Sequence, residues 1–353
     1  MERFLPVVQH FLTLQSPICR RILETEKGKG RYRKMIFSKA ITGMYQKTFF
    51  GRVDADGLVK YFSFEDFPGL HRESYIFKNN HGQKLQGWFY SYENPHHDRV
   101  VIFEHGYGGG HTAYMTEIAR LAAHGYLVFA YDKSGCMESE GEGHGFAQSI
   151  ADLDACLHTL KADPSMDGVH FSVVGHSWGA YATMNIAALH PDITHLVAIC
   201  GPLSVRKLIE QNFRGPLALF RKDIYALEQA ANPRYAPLSA EESLLQTGAH
   251  TLLIYSEDDK TIDRRLHYDR LRDALIHRHN IRFLLVEGKN HNPNYTADAV
   301  RYLGEFSEAL AEVRKQKKIE PQVRHAFVRK WDWQRMTAQD DAVWAEIFET
   351  LDK

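Results

Sequence analysis

A serine between two glycines interrupts an otherwise apolar stretch of the sequence. Residues 171–174, FSVV, have the composition of a buried strand, and the run ends at Gly175. Ser177, Trp178 and Gly179 follow, and the helix-like stretch AYATMNIAALH comes next. Glycine and serine are ordinary turn residues, which is the simplest explanation of the pattern. The same pattern also lifts a serine hydroxyl clear of a strand, where it can act as a nucleophile.

An acidic residue and a histidine follow at the ends of two later apolar runs. HTLLIYS leads into Glu257, Asp258 and Asp259, and IRFLLVEG leads into His291. A serine hydroxyl is a weak nucleophile and needs a base, a role that suits histidine because its pKa lies near neutrality. The histidine needs a carboxylate that fixes its tautomer and stabilises the imidazolium. The order therefore fits acyl transfer, in which a serine hydroxyl attacks and a histidine acts as its base.

The elements that must position these residues alternate along the chain. Strands are predicted at RVVIFEHG, YLVFAYD, VHFSVVG, ITHLVAIC, HTLLIYS and IRFLLVEG, after two shorter strands in SYIFKNNHGQKLQGWFYSY. Helical patterns lie between most of them, and short apolar strands alternating with helices are typical of a parallel sheet covered on both faces. Because ligands bind at the carboxyl ends of such strands, we expect the three side chains to converge there. The predicted fold class is α/β.

Both ends of the chain and one internal stretch depart from this alternation. Residues 1–70 are predicted to form a mostly helical N-terminal extension, interrupted at EKGKGRYRK, and residues 319–353 a helical C-terminal tail. Within the core, residues 71–318, the stretch from about 201 to 245 is helical and polar and contains four prolines. We expect it to form a short lid over the strand ends. Its apolar residues either line an acyl pocket or pack the lid onto the body.

These motifs make the chain resemble the α/β-hydrolase superfamily over roughly residues 74–315. G-x-S-x-G between a strand and a helix resembles the nucleophile elbow of serine esterases, lipases and peptidases. The resemblance implies a mostly parallel central sheet with helices on both faces. It also implies Ser177 as the nucleophile, His291 as the base and Asp259 as the acid. Asp259 fits the pattern G-x-x-D-x-x-(V/I) with a serine in place of the glycine. Asp258 and Asp263 remain alternatives.

The resemblance further implies an oxyanion hole and a substrate-binding wall. The backbone N–H groups of Tyr107 and Trp178 would form the oxyanion hole. The residues expected near the substrate are His105, Gly106, Gly108 and His176, although both histidines are alternatively structural. YDKSGCMES resembles the family loop D-x-R-G-x-G-x-S, with Ser134 and Met137 in place of the arginine and the second glycine. We expect this departure to affect specificity more than chemistry.

The predicted activity is hydrolysis of carboxylic esters with small or medium acyl chains through an acyl-enzyme, without a cofactor. A metal is not expected, because the twenty histidines include no HExxH or Cys/His ligand spacing. One alternative is a prolyl-type aminopeptidase or amidase, because GHSWG resembles the serine motif of prolyl aminopeptidases. The acidic residues then available to bind a substrate ammonium are Glu210, Glu228, Glu241 and Glu242. Another alternative is a non-catalytic binding protein with this fold.

Composition indicates an ordinary globular protein acting on a small molecule. Of 353 residues, 44% are apolar and 25% charged, and the formal net charge of −1 argues against nucleic acid as a partner. Residues 1–60 carry twelve Lys/Arg and five Asp/Glu, which suits a solvated helical face or weak peripheral contact with an anionic membrane. Four scattered cysteines without a CxxC, and the lack of a signal-peptide pattern, predict a cytoplasmic location.

Overall fold

A single sheet organises the part of the chain that the computed structural model describes, residues 27–316 and 318–353. The strands are β1 His71–Lys78, β2 Lys84–Ser91, β3 His96–Glu104, β4 Tyr126–Tyr131, β5 His170–His176, β6 His195–Ile199, β7 His250–Ser256 and β8 Ile281–Val286. Their order across the sheet is β1-β2-β4-β3-β5-β6-β7-β8. Strand β2 is antiparallel to both of its neighbours, and the remaining pairs are parallel. The predicted mostly parallel α/β fold is confirmed.

Helices cover the two faces of this sheet and supply the insertion. They are α1 Lys27–Phe49, α2 Met115–Ala123, α3 Gln148–Ala162, α4 Trp178–Ile186, α5 Val205–Asn212, α6 Arg221–Ala231, α7 Ala240–Leu245, α8 Tyr268–Leu275, α9 Ala297–Val313, α10 Pro321–Arg329, α11 Trp333–Met336 and α12 Asp341–Leu351. Helices α5 to α7 lie between β6 and β7, where the sequence predicts the lid. No helix of the described ranges is both long and apolar enough to cross a bilayer.

Two apolar layers form because successive side chains of a strand point to opposite faces. In β5, Val173 packs into the layer that includes Tyr181 of α4, while Val174 packs into the layer that includes Trp344 of α12. Both valines are fully buried. A strand that is apolar on both sides is thereby held rigidly between helices, and its carboxyl end is a firm support for the turn that follows.

The predicted interruption at EKGKGRYRK is wrong, because α1 runs through this stretch from Lys27 to Phe49. Each glycine costs a helix about 1 kcal/mol relative to alanine, and tertiary packing outweighs that cost. Ile41, Tyr45 and Phe49 of α1 are buried in the same layer as α4. Residues 50–70 are irregular except for a 3₁₀ turn, Phe64–Asp66. Residues 1–26 of the basic segment lie outside the described residues.

The C-terminal segment forms part of the second apolar layer. Helix α12 begins after Asp340, whose carboxylate accepts hydrogen bonds from the backbone N–H groups of Ala342 and Val343 at 3.0 and 3.3 Å. Trp344 and Ile347 of this helix are fully buried against the sheet. The segment that the sequence places after the core therefore completes one face of it.

Candidate active site

Ser177 occupies a sharp turn between β5 and α4. Its φ of 56° and ψ of −112° lie in a region that a serine rarely adopts, which costs of order 1–3 kcal/mol. Two backbone hydrogen bonds hold the turn: Ser177 N–H donates to the Ile199 carbonyl at 2.7 Å, and Tyr181 N–H donates to the Ser177 carbonyl at 3.0 Å. The strain is thus maintained by β6 on one side and by α4 on the other.

Close backbone approach explains both glycines of the motif. A Cβ on Gly179 would lie 1.9 Å from the carbonyl oxygen of Glu104, at the end of β3. A Cβ on Gly175 would lie 2.4 Å from Oγ1 of Thr183 in α4. Helix α4 can therefore start directly against the strands only if both residues lack a side chain. The general preference of turns for glycine does not account for this packing.

Three side chains from the ends of β5, β7 and β8 form a continuous hydrogen-bonded chain. His291 Nε2 lies 2.8 Å from Ser177 Oγ, and His291 Nδ1 lies 2.7 Å from Asp259 Oδ2. The side chains of His291 and Asp259 are almost fully buried. The other carboxylate oxygen of Asp259 accepts from the N–H groups of Thr261 and Ile262 at 2.7 and 3.0 Å. The acid is therefore fixed by backbone donors while it faces the imidazole.

The two alternative acids have other partners. Asp258 Oδ1 accepts hydrogen bonds from Ser256 Oγ at 2.8 Å and from the N–H groups of Lys289 and Asn290 at 3.1 Å each. Asp263 pairs with the exposed Arg214 guanidinium at 2.6 Å. Asp258 thus supports the loop that carries His291, whereas Asp263 forms an ion pair at the protein surface.

The loop after β3 lies against the serine. A Cβ on Gly106 would lie 3.4 Å from Ser177 Cβ and 2.4 Å from the Tyr114 hydroxyl, so a larger residue would displace Tyr114. Trp178 is the first residue of α4, and a first-turn N–H has no acceptor within its own helix. The rings of Tyr107 and Trp178 pack edge to face at 5.7 Å. The two predicted oxyanion donors consequently belong to neighbouring segments, with Gly108 at φ 92° turning the loop.

His176 lies behind the triad histidine. Its Nε2 is 2.7 Å from the His291 carbonyl oxygen, and its Nδ1 is 2.9 Å from the Tyr114 hydroxyl. Burial, followed by repulsion from His291, lowers the pKa of His176 to about 3. A neutral His176 therefore supports the backbone of the histidine loop.

A buried ion pair below the loop was not identified from the sequence. Lys133 Nζ lies 2.7 Å from Glu104 Oε2 and donates to the His105 carbonyl at 2.8 Å, and both charged side chains are fully buried. Burial raises the pKa of Glu104, and the attraction of Lys133 opposes that shift. His105 Nε2 accepts from Lys133 N–H at 3.0 Å. Lys133 falls within the D-x-R-G-like loop, but that pattern does not specify its partner.

A cavity of about 20 Å³ adjoins the serine, and we call it the serine cavity. Its lining residues are Tyr107, Phe146, Ser177, Trp178, Pro202, Leu208, Thr261 and Ile262. Leu208 is a lid residue with its side chain in this wall. Other apolar lid residues, Leu203, Phe213, Phe220 and Tyr225, are buried in the core, and Leu219 is exposed. Most of the lid's apolar surface therefore packs the lid onto the body.

The acidic residues of the lid have other partners and do not line the serine cavity. Glu228 is fully buried and accepts from the Tyr45 hydroxyl at 2.6 Å and from the N–H groups of Phe146 and Ala147 at 2.7 and 3.0 Å. It thereby ties α1 to the lid. Glu210 pairs with Lys207, and Glu241 with Arg270. None of the four glutamates considered for ammonium binding lines this cavity.

One cluster outside the triad has metal-ligand chemistry. Ligand atoms of Asp154, His158 and His190 lie within 4.8 Å of one another. The Asp154 carboxylate is already hydrogen-bonded to His190 at 2.8 Å and to the Tyr235 hydroxyl at 2.8 Å. Lys161 Nζ lies 2.9 Å from His190 Nδ1. A cationic ammonium next to the cluster opposes a metal cation, so hydrogen bonding and ion pairing account for this arrangement.

Sequence comparisons identify hydrolases. The Hydrolase_4 family, described as serine aminopeptidase S33, matches residues 95–229, which include Ser177 but end before Asp259 and His291. A candidate carbamate hydrolase, RutD, of Escherichia coli O157:H7 (strain EC4115 / EHEC) is 28% identical over 197 residues. That alignment covers 49% of this chain and 69% of the relative. These matches confirm the prediction that the protein is a hydrolase.

Solved structures with the same fold include two esterases. The Pyrococcus furiosus esterase Pf2001 superposes with a TM-score of 0.54 at 18% identity, over 75% of this chain and 95% of that chain. An acetyl xylan esterase from Paenibacillus sp. R4 superposes with a TM-score of 0.52 at 17% identity, over 78% of this chain and 92% of that chain. At this identity the similarity concerns the fold, and the predicted α/β-hydrolase architecture is confirmed.

Proposed function

We propose that this enzyme, a member of the α/β-hydrolase superfamily, hydrolyses carboxylic esters with small or medium acyl chains through an acyl-enzyme. The observation that carries the proposal is the hydrogen-bonded chain from Ser177 Oγ through His291 to the buried carboxylate of Asp259. This chain ends at the serine cavity, whose wall is largely apolar. A nucleophile, a base and an acyl-sized space are thus adjacent.

In the proposed acylation step, Ser177 Oγ attacks the ester carbonyl carbon while His291 Nε2 takes the hydroxyl proton. Asp259 accepts a hydrogen bond from protonated Nδ1 and stabilises the imidazolium. The N–H groups of Tyr107 and Trp178 donate to the developing oxyanion, and loss of one such donor typically costs about 10²–10³ in kcat. The imidazolium then protonates the alcohol oxygen as the C–O bond breaks.

In the proposed deacylation step, a water molecule takes the place of the alcohol. His291 removes a proton from this water, which attacks the acyl carbon, and the proton then returns to Ser177 Oγ as the acid product leaves. The burial of Ser177, which is 8% exposed, limits access of bulk water to the acyl-enzyme. In both steps Nε2 of His291 takes up and returns the proton, while Nδ1 stays hydrogen-bonded to Asp259.

The family description makes aminopeptidase activity the second candidate. An aminopeptidase needs a carboxylate that binds the substrate ammonium near the scissile bond. The lid glutamates considered for this role are instead bound to Tyr45, Lys207 and Arg270, or exposed. This difference favours ester hydrolysis over hydrolysis of an N-terminal peptide bond.

The two candidates separate in one assay. We expect ethyl and butyl acetate to be hydrolysed with a kcat/KM at least tenfold above that of proline and leucine p-nitroanilides. Ser177→Ala should abolish turnover of both classes, with its melting temperature as the control for folding. Preferential cleavage of the anilides would instead support the aminopeptidase function. The ester hydrolase proposal would then be wrong.

We also propose a reducing, cytoplasmic location and a small-molecule partner, the ester substrate. Cys136, Cys156 and Cys200 are buried free thiols, as expected in a reducing compartment. Burial raises the pKa of each of these thiols, which keeps them in the unreactive neutral form. Fractionation of the native source tests the location, and recovery in an oxidising compartment would contradict it.

A further inference from the structure

A larger cavity lies on the other side of Tyr107 and has no role in the proposed chemical steps. Its volume is about 190 Å³, and we call it the side cavity. Gly106, Tyr107 and Gly108 form one wall, and Asn292 and Tyr295 of the histidine loop form another. Tyr107 also lines the serine cavity, so the two cavities share a wall. The side cavity is therefore a direct neighbour of the serine cavity.

Most of the remaining lining residues belong to segments outside the matched family range. Phe62 belongs to the irregular stretch before β1, Phe306 to α9, and Trp333 and Met336 to α11. These side chains give the cavity a largely apolar and aromatic surface. Both ends of the chain thus shape a space beside an otherwise common catalytic arrangement.

The charged residues of the side cavity are neutralised in pairs. The Arg314 guanidinium contacts the Asp56 carboxylate, and Lys60 Nζ lies 3.3 Å from Asp66 Oδ1. A charged ligand would have to break one of these pairs, whereas an uncharged apolar group needs only the aromatic surface. The lining therefore fits a neutral ligand portion.

We infer that the side cavity binds the alcohol portion of the ester, and that this portion is a neutral apolar chain or single ring. The inference rests on the proposed function. His291 Nε2 must protonate the departing oxygen, so the alcohol leaves on the histidine side of Ser177. Asn292 follows His291 directly and lines the side cavity. The departing alcohol therefore lies on the side of Ser177 where the loop that borders this cavity begins.

The sizes of the two cavities support this assignment. The serine cavity, at about 20 Å³, is only slightly larger than the roughly 10–15 Å³ that a single water requires, so it fits an acetyl methyl group. The side cavity, at about 190 Å³, is below the roughly 300–1,000 Å³ of sites for drug-sized ligands. It suits one ring or a short alkyl chain. The inference consequently narrows the acyl group to acetyl size and assigns the larger group to the alcohol.

Two substrate series test the assignment in the wild-type enzyme. In the acetates of ethanol, butanol and hexanol the alcohols have similar acidity, so kcat/KM reports binding of the chain. We expect kcat/KM to rise by up to about fourfold per methylene, because a buried CH₂ contributes about 0.8 kcal/mol. Butyl esters with acyl groups lengthened from acetyl to hexanoyl should lose at least tenfold.

Variants in α9 locate the effect. Leu303 is half-buried in the wall of the side cavity, and Leu303→Trp should fill it and lower the ratio of kcat/KM for hexyl over ethyl acetate at least tenfold. Leu303→Ala should shift the preference to longer alcohols. Glu308→Trp is the matched control, because Glu308 is exposed on the same helix, and it should leave the ratio unchanged. Melting temperature and labelling of Ser177 by a small fluorophosphonate check that each variant is folded.

Three outcomes would overturn the inference. If Leu303→Trp alters the acyl series and leaves the alcohol series unchanged, the side cavity binds the acyl group. If both series keep their wild-type ratios in folded Leu303→Trp, the cavity is not a substrate site, although the enzyme remains an esterase. If the wild type cleaves no ester and Ser177 is not labelled, the proposed function itself fails together with the inference.

Discussion

The turn that carries Ser177 and the loop that carries His291 are stabilised in different ways. The turn depends on neighbouring elements, namely the carbonyl of Ile199 in β6 and the packing of Gly179 against β3. The loop depends on a more distant part of the chain, because Lys289 Nζ donates to the Tyr295 carbonyl at 2.6 Å and to Asp340 at 2.7 Å. The nucleophile is therefore positioned by a compact motif, whereas the loop of the base has additional support from the C-terminal segment.

Further contacts strengthen the dependence of the histidine loop on the chain end. Asp340 N–H donates to the Asn294 carbonyl at 2.8 Å, and Thr296 N–H donates to the Ala338 carbonyl at 2.9 Å. Tyr295 and Gln339 form an isolated antiparallel bridge. The difference between the two regions teaches that a serine motif can match a family while the geometry of its base depends on residues outside the matched range.

The largest effect is expected for the acid that anchors the histidine. Asp259→Asn leaves an amide opposite His291 Nδ1 and favours the wrong tautomer, so kcat should fall by about 10⁴. Asp258→Asn is the control, because its carbonyl oxygen can still accept from the loop N–H groups, and it should cost about tenfold or less. Steady-state ester hydrolysis measures both. If Asp258→Asn loses more kcat than Asp259→Asn, Asp258 is the acid and the assignment to Asp259 is wrong.

On the serine side, the next effect comes from the packing of the turn. Gly179→Ala places a Cβ 1.9 Å from the Glu104 carbonyl oxygen, so the free energy of unfolding should fall by more than about 4 kcal/mol. Gly304→Ala is the matched change in a helix with open space, and it should be stabilising by up to about 1 kcal/mol. Urea denaturation measures both changes. Equal stabilities would contradict the close approach of α4 to β3.

On the histidine side, a smaller effect is expected from removing the lysine. Lys289→Met leaves the Tyr295 carbonyl and the Asp340 carboxylate without their ammonium donor, at a cost of about 2–3 kcal/mol in unfolding free energy. Lys315→Met removes a pair with Glu312 in which both side chains are exposed, and it should cost less than about 1 kcal/mol. If the two variants are equally stable, the C-terminal segment does not support the loop as described.

The smallest effect is a pH dependence at the back of the histidine loop. Burial raises the pKa of Glu117 to about 7, and its carboxylate accepts from Asn294 Nδ2 at 3.2 Å. The folded protein holds the proton of the Glu117 carboxyl more tightly than the unfolded chain does. The resulting stabilisation of the folded state is complete below about pH 4 and is lost as pH rises through 7. Between pH 5 and 8, the free energy of unfolding should therefore fall by up to about 2 kcal/mol less in Glu117→Gln than in the wild type. Denaturation midpoints of the two proteins across this pH range measure the difference. An identical dependence of the midpoint on pH in both would exclude the effect.

The sequence predicts the serine side better than the histidine side, for a physical reason. Gly175 and Gly179 flank Ser177 at fixed spacing, and the strand and helix around them have clear periodicity, so the local sequence predicts the turn. The sequence also predicts the order of the acid and the histidine. The geometry that favours Asp259 over Asp258, by contrast, depends on which of two adjacent side chains faces His291.

Features built from distant residues of ordinary type could not be predicted. The Lys133–Glu104 pair, the side cavity and the packing of α12 join segments with no shared pattern. The glycines near the start of α1 predict an interruption, because local propensity disfavours glycine in a helix. Tertiary burial of Ile41, Tyr45 and Phe49 overrides that preference.

The most direct test of the account is the rate at which a fluorophosphonate probe labels Ser177, located by peptide mapping, in the wild type and in His291→Ala. The account predicts labelling at Ser177 that slows by at least about 10²-fold without the imidazole, because the serine hydroxyl then has no base. Labelling at another residue, or an equal rate in the folded variant, would contradict an activated Ser177–His291–Asp259 triad.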